Sequence, residues 1–198
     1  MLLLESKPLL GDKIYLGTID SVIARYWREF ENHQKDFAPA FLANDILRLW
    51  RTFCVNYESR TRTQPEAEKA KRRLKNFKLK HSRLLTCYSG LLYLLSAFED
   101  NGTVTPDHAR GMVRQTPIER IEYLANAPGG PTALRDILKQ YDSFLEQTDA
   151  SEQDLIARFL DPEKRTEYNA SAEKLADAVW KAMRGIGGKS RFFRQLVV

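Results

Sequence analysis

Leu84–Phe98 runs for 15 residues without a charged side chain. A helix needs ~20 apolar residues to span a bilayer, so this run is too short to cross one. It is also too apolar to lie in water, which leaves one place for it, the interior of a folded core. The rest of the chain must therefore supply amphipathic elements that wrap around it. Only 10 Gly and 8 Pro interrupt 198 residues, so those elements are expected to be long helices. With 43% hydrophobic residues there is enough apolar material to close a core, which excludes global disorder.

The apolar spacing predicts helices over about 13–30, 39–58, 79–98, 132–147, 152–160 and 171–186, with a short charged helix over Glu66–Leu74. Asp12 is the expected cap of the first helix, and the polar stretch 59–68 reads as a loop or a new helix start. Asn101-Gly102 stops the third main helix. Thr105-Pro106 and Thr116-Pro117 each read as an N-cap followed by proline at the first helical position. Pro128-Gly129-Gly130-Pro131 is the strongest breaker, and Gly185, Gly187 and Gly188 end the last helix. The tail from Lys189 is basic and apolar, suited to dock or fray. No period-2 alternation is sustained after residue 10, and no repeat is visible. The expected fold is an all-α, multi-helix, bundle-like domain, with room for one short strand at the N-terminus. Residues 1–100 form a basic helical subdomain in this reading, and residues 101–198 a C-terminal helical subdomain packed on it.

Charge separates the two halves. Residues 1–100 hold 17 Lys and Arg against 12 Asp and Glu, whereas residues 101–198 hold 14 of each. The whole surplus of +5 therefore sits in the first half, which points that half toward an anionic partner. Its densest part is Lys69–Arg83, where Lys69, Lys71, Arg72, Arg73, Lys75, Lys78, Lys80 and Arg83 occur with no acid among them. Such a run is either a solvated face or a surface neutralised by a polyanion. It leads directly into the apolar run, so Lys78, Lys80 and Arg83 are held at the edge of a packed core, and with Lys75 they are candidate phosphate contacts. On the 39–58 helix, Asn44, Arg48 and Arg51 share a face, and a guanidinium fork suits bidentate phosphate binding. The alternative for Arg48 is an ion pair with Asp45, three residues earlier.

Catalytic groups are scarce. Asp36, Asp45 and Glu58 are separated on different faces, no Asp-x-Asp pair occurs, and no glycine-rich phosphate cradle is present. His33, His81 and His108 lack metal-ligand spacing, and Cys54 and Cys87 read as buried, reduced thiols. Three leucines ahead of Glu5 do not make a secretory core, so the expected compartment is the cytoplasm, with no membrane partner. Arg28 and His33 have the Arg-x4-His form that resembles the motif of helical ribonucleases.

Three segments resemble one family. Leu2-Leu3-Leu4-Glu5-Ser6-Lys7-Pro8-Leu9, Asn44 through Glu58, and Lys75-Asn76-Phe77-Lys78-Leu79-Lys80-His81-Ser82-Arg83 are similar to the helical C-terminal part of bacterial nucleotidyltransferase-domain proteins of the DNA polymerase β superfamily. The resemblance covers roughly residues 1–98. Members of that family carry an N-terminal catalytic domain with a Gly-Ser turn and metal-binding carboxylates, which this sequence lacks. The resemblance therefore implies the helical half alone, with no cofactor of its own and Mg²⁺ expected only alongside a catalytic domain. A separate catalytic chain is the implied partner, besides a nucleotide or nucleic acid on segment 69–83. Three readings of function follow: such a binding module, inactive without its catalytic domain; a catalytically empty remnant or interaction protein; and a helical ribonuclease.

Overall fold

The computed structural model describes residues 1–58 and 65–196, and every regular element among them is helical. In chain order these are α1 (Leu2–Glu5), α2 (Asp12–Tyr26), a 3-10 turn (Phe30–Asn32), α3 (Ala40–Glu58), α4 (Glu66–Lys78) and a π-helical turn (Leu79–Arg83). There follow α5 (Leu84–Asn101), α6 (Pro106–Arg114), α7 (Pro117–Asn126), α8 (Thr132–Thr148), α9 (Glu152–Leu160), α10 (Pro162–Gly187) and α11 (Arg191–Arg194). The all-α multi-helix bundle expected from the sequence is the fold. Of the loop expected over 59–68, residues 59–64 lie outside the described residues. None of the described helices is long and apolar enough to cross a membrane.

The uncharged run is the axis of the bundle. α5 buries Leu84, Leu85, Cys87, Leu91, Leu92, Leu94 and Leu95 on all sides, and α1, α3, α6, α7, α10 and α11 pack around it. Gly102, at φ 71°, takes the left-handed conformation that ends α5, which a residue with a Cβ would enter only with strain. Gly90 matters for another reason. A Cβ there would lie 2.8 Å from a methyl of Leu4, so the missing side chain lets α1 seat on α5.

The N-terminal segment forms a helical turn where the sequence left room for a strand. Leu3 and Leu4 are adjacent and both buried, at 6% and 2% exposure. A strand would send them to opposite faces, whereas a helical turn points both toward α5 and α6. Ser6 closes the turn by donating its hydroxyl to the Leu2 carbonyl at 2.6 Å. α2 begins after Gly11, in the left-handed region at φ 75°, and Asp12 is its first residue rather than its cap. It stops at Tyr26, short of the expected residue 30, where the Trp27 indole N–H donates to the Val104 carbonyl at 2.7 Å.

The two Thr-Pro sites cap α6 and α7 as the sequence indicates, each with a reciprocal capping box. α10 is longer than expected because the Asp161-Pro162 step obeys the same rule. Asp161 accepts from the main-chain N–H groups of Glu163 and Lys164 at 2.8 and 3.3 Å, so the helix starts at Pro162. The tail docks: Phe192 of α11 is fully buried, with its ring 5.6 Å from that of Phe98.

A smaller cluster of Ala70, Leu74, Phe77, Phe144, Leu155, Phe159 and Tyr168 joins α4 to α8, α9 and α10. The basic segment is thus clamped by residues from the far half of the chain. His81 extends this stripe. Its ring stacks on Phe144 with centroids 4.4 Å apart and planes 9° apart, and Nδ1–H donates to the Phe77 carbonyl at 2.8 Å.

Candidate anion-binding site

Helical geometry divides α4 into two faces. Ala70, Leu74 and Phe77 recur at i, i+4 and i+7 and are buried. At 100° per residue, Glu68, Lys71, Arg72 and Lys75 fall on the opposite side, and Leu79 follows them at the start of the π-helical turn. There the last turn of α3 approaches, and Asn56 and Tyr57 complete a cleft of about 410 Å³ with those five residues. A volume of this size is in the range of small-ligand sites.

The ion pairs decide which cations are committed. Lys69 and Arg73 both reach Glu66, at 2.8 and 3.6 Å. Lys71 reaches Glu152 of α9 at 3.7 Å, a long and exposed contact. Arg83 pairs with Glu5, and its guanidinium lies 5.5 Å from the Phe53 ring centroid. Arg72, Lys75, Lys78 and Lys80 make no carboxylate pair among the described residues. Arg72 carries a further signal. Its Nη1 is buried with no acceptor among the described residues, an uncommon state for a donor.

The sequence-derived candidates do not converge on one point. Lys75 lines the cleft; Lys78 is exposed on the flank of α4; Lys80 is half-buried in the π-helical turn. Arg83 is engaged with Glu5 and the Phe53 ring, which fixes the start of α5 against α1 and α3. Asn44 donates to the carbonyls of Ala40 and Gln195 at 2.9 and 3.0 Å, holding the C-terminal tail. Arg48 donates to Asp45 at 2.7 Å with its side chain 74% exposed. Asp45 also accepts from the Tyr26 hydroxyl at 2.8 Å, and that phenol is pushed up to about 12, first by burial and then by the bond to Asp45. Arg51 is exposed further along α3. Asn44 and Asn56 are 12 residues apart on α3, roughly 18 Å along its axis, so Asn44 belongs to another part of the surface.

Lys71 and Arg72 belong to the basic run but were not singled out by sequence, and Asn56 and Tyr57 were not candidates. The pattern that finds the first two is the side of α4 opposite its apolar stripe. Nothing in the sequence shows that the end of α3 would cover that side.

The ribonuclease pair is placed loosely. Arg28 and His33 are exposed, and the chain between them leaves α2 and passes through the 3-10 turn. His33 Nδ1 lies 3.6 Å from Asp36. Among the described residues, no three His, Cys, Asp or Glu side chains gather as a metal ion would require.

Comparison with family models, with curated proteins and with solved structures finds no match to this chain.

Proposed function

We propose that this protein is a helical nucleotide- or nucleic-acid-binding module that holds phosphates by position and charge, and that any nucleotidyl transfer belongs to a separate catalytic domain or chain. The observation that carries the reading is the cation set on α4 and the π-helical turn after it. Arg72, Lys75, Lys78 and Lys80 stand without carboxylate partners among the described residues, on a helix whose other face is packed into the molecule. Holding like charges together costs free energy that a polyanion relieves. Arg48 and Arg51, exposed on α3, extend the same field. The segments similar to the helical part of nucleotidyltransferase-domain proteins are consistent with this role.

The test is a salt titration of single-stranded oligonucleotide binding. Log affinity should fall linearly with log salt. Replacing Lys75, Lys78 and Lys80 together by Ala should reduce the slope by about one unit for each phosphate that is no longer neutralised. A strand that fails to bind even at low salt removes the proposal.

A further inference from the structure

The exposed cations of α4 explain affinity for any polyanion, but the cleft behind them is a more selective feature. Three cations, Lys71, Arg72 and Lys75, line it beside one carboxylate, Glu68. A surplus of two positive charges matches the dianion of a phosphomonoester better than the single charge of an internal phosphodiester. Arg72 is half-buried and lines the cleft; its Nη1–H is enclosed and lacks an acceptor among the described residues, a donor that a phosphate oxygen would satisfy once the guanidinium turns toward the cleft. The contact of Lys71 with Glu152 is long enough for a nearer dianion to replace it.

The order of residues along α4 and into the π-helical turn also orients a ligand. Glu68 marks the N-terminal end and repels phosphate. Lys71, Arg72 and Lys75 occupy the middle, and Leu79 closes the C-terminal end. From Arg72 to Leu79 is ~11 Å along the helix axis, the reach of a nucleotide from its phosphate toward its base. Tyr57 and Leu79 give the cleft apolar walls for a base, with Asn56 beside them.

We infer that the α3–α4 cleft is a phosphomonoester site that takes the terminal phosphate of a nucleotide, either free or at the end of a strand. The inference rests on the proposed nucleic-acid-binding role and adds to it a specific reader of strand ends.

The experiment compares a single-stranded oligonucleotide with and without a 5′-phosphate by fluorescence anisotropy, together with calorimetry using AMP and adenosine. The phosphorylated strand should bind about tenfold more tightly, the factor one charge-assisted bond provides. AMP should bind and compete for the cleft, and adenosine should not. Lys75→Ala, at an exposed position outside the core, should erase the preference for the phosphorylated strand; Arg72→Gln should do the same if its melting curve matches the parent. Lys78→Ala should weaken both strands equally. Equal binding of the two strands with no binding of AMP overturns the cleft assignment and leaves the salt-sensitive module standing. AMP binding without salt-sensitive strand binding locates the site on free nucleotides and removes the nucleic-acid reading. If Lys75→Ala leaves both AMP affinity and the strand preference unchanged, the phosphate is held elsewhere and the proposal falls.

Discussion

The guanidinium of Arg120 donates to the main-chain carbonyl of Leu4 at 2.6 Å, joining α7 to the first turn of the protein. Arg120 is fully buried. Its Nε donates to the Met112 carbonyl at 2.8 Å, and Nη1 lies 3.4 Å from the Ser89 hydroxyl. Both carbonyls belong to the last turns of helices, α1 and α6, where a positive charge is favourable; the Met112 carbonyl also accepts from the Gln115 main-chain N–H at 3.3 Å. Burial pushes the Arg120 pKa down to about 10, which still leaves it charged at neutral pH.

Replacing Arg120 by Met keeps most of the volume and removes its donors from Leu4, Met112 and Ser89, leaving Met112 only its bond from the Gln115 N–H. Stability should fall by about 3 kcal/mol, the scale for breaking a buried polar network. Arg120→Lys should recover part of it, because an ammonium reaches fewer of the three acceptors. Chemical denaturation checks both; an Arg120→Met protein as stable as the parent would show that the bonds merely offset the cost of burying the charge.

His81 should make stability depend on pH. Burial lowers its pKa below the ordinary 6.5, helped by repulsion from Lys80 and opposed by the bond to the Phe77 carbonyl. Below 6.5 the unfolded chain therefore binds more protons at this position than the folded one, so stability is full above that pH and falls on acidification. The effect levels off once the pH passes below the folded-state pKa. His81→Phe retains ring packing on Phe144 and should flatten this component in melts recorded through the same window. An unchanged pH profile would assign the acid sensitivity to other groups.

Arg48→Ala separates binding from folding. The Arg48–Asp45 pair is largely exposed, and such pairs are worth about 0–1 kcal/mol, so the melting temperature should barely move. Strand affinity should drop by about 1 kcal/mol as one charged group is removed from the binding surface. A destabilised protein with unchanged affinity takes Arg48 out of that surface.

The two thiols should react at different rates. Neither cysteine is in a disulfide, but Cys87 is buried in α5 and its pKa is pushed up to about 12 mainly by that burial. Its reactive thiolate is therefore rare and inaccessible. A thiol reagent at mildly alkaline pH should modify the half-buried Cys54 in the folded protein and reach Cys87 only in denaturant. Rapid labelling of both under native conditions would show that α5 opens readily.

Gly90→Ala should destabilise despite alanine's higher helix propensity. The new methyl would sit 2.8 Å from a terminal methyl of Leu4, itself only 2% exposed. Overpacking of this kind costs about 1–3 kcal/mol, against a gain of at most ~1 kcal/mol in propensity. Gly90→Ala combined with Leu4→Ala should be less destabilised than the two single effects added together, which denaturation curves for the three variants would measure.

Periodicity alone was enough for most of the helices. The uncharged run could only be a core helix, and Thr105-Pro106, Thr116-Pro117 and Asn101-Gly102 mark ends with residues whose local chemistry acts within one turn. The same rule at Asp161-Pro162 was available and sets the start of α10. The basic run, too, was visible as a place where an anion could bind. What sequence could not supply was the partner of each face. Whether Leu3 and Leu4 form a strand or a turn depends on the helices against which they are buried. Arg120 looks like one more surface arginine until its neighbours at Leu4, Ser89 and Met112 are in place. Asn44, Arg48 and Arg51 share one side of α3 in the sequence, yet one holds the C-terminal tail and another holds Asp45, while the cleft opens on Asn56 and Tyr57 near the end of the helix. Local patterns are decided by interactions over a few residues. The pairing of α4 with α9, and the choice of which cations keep an uncompensated charge, is decided by packing between segments ~80 residues apart, which leaves no periodic trace in the chain.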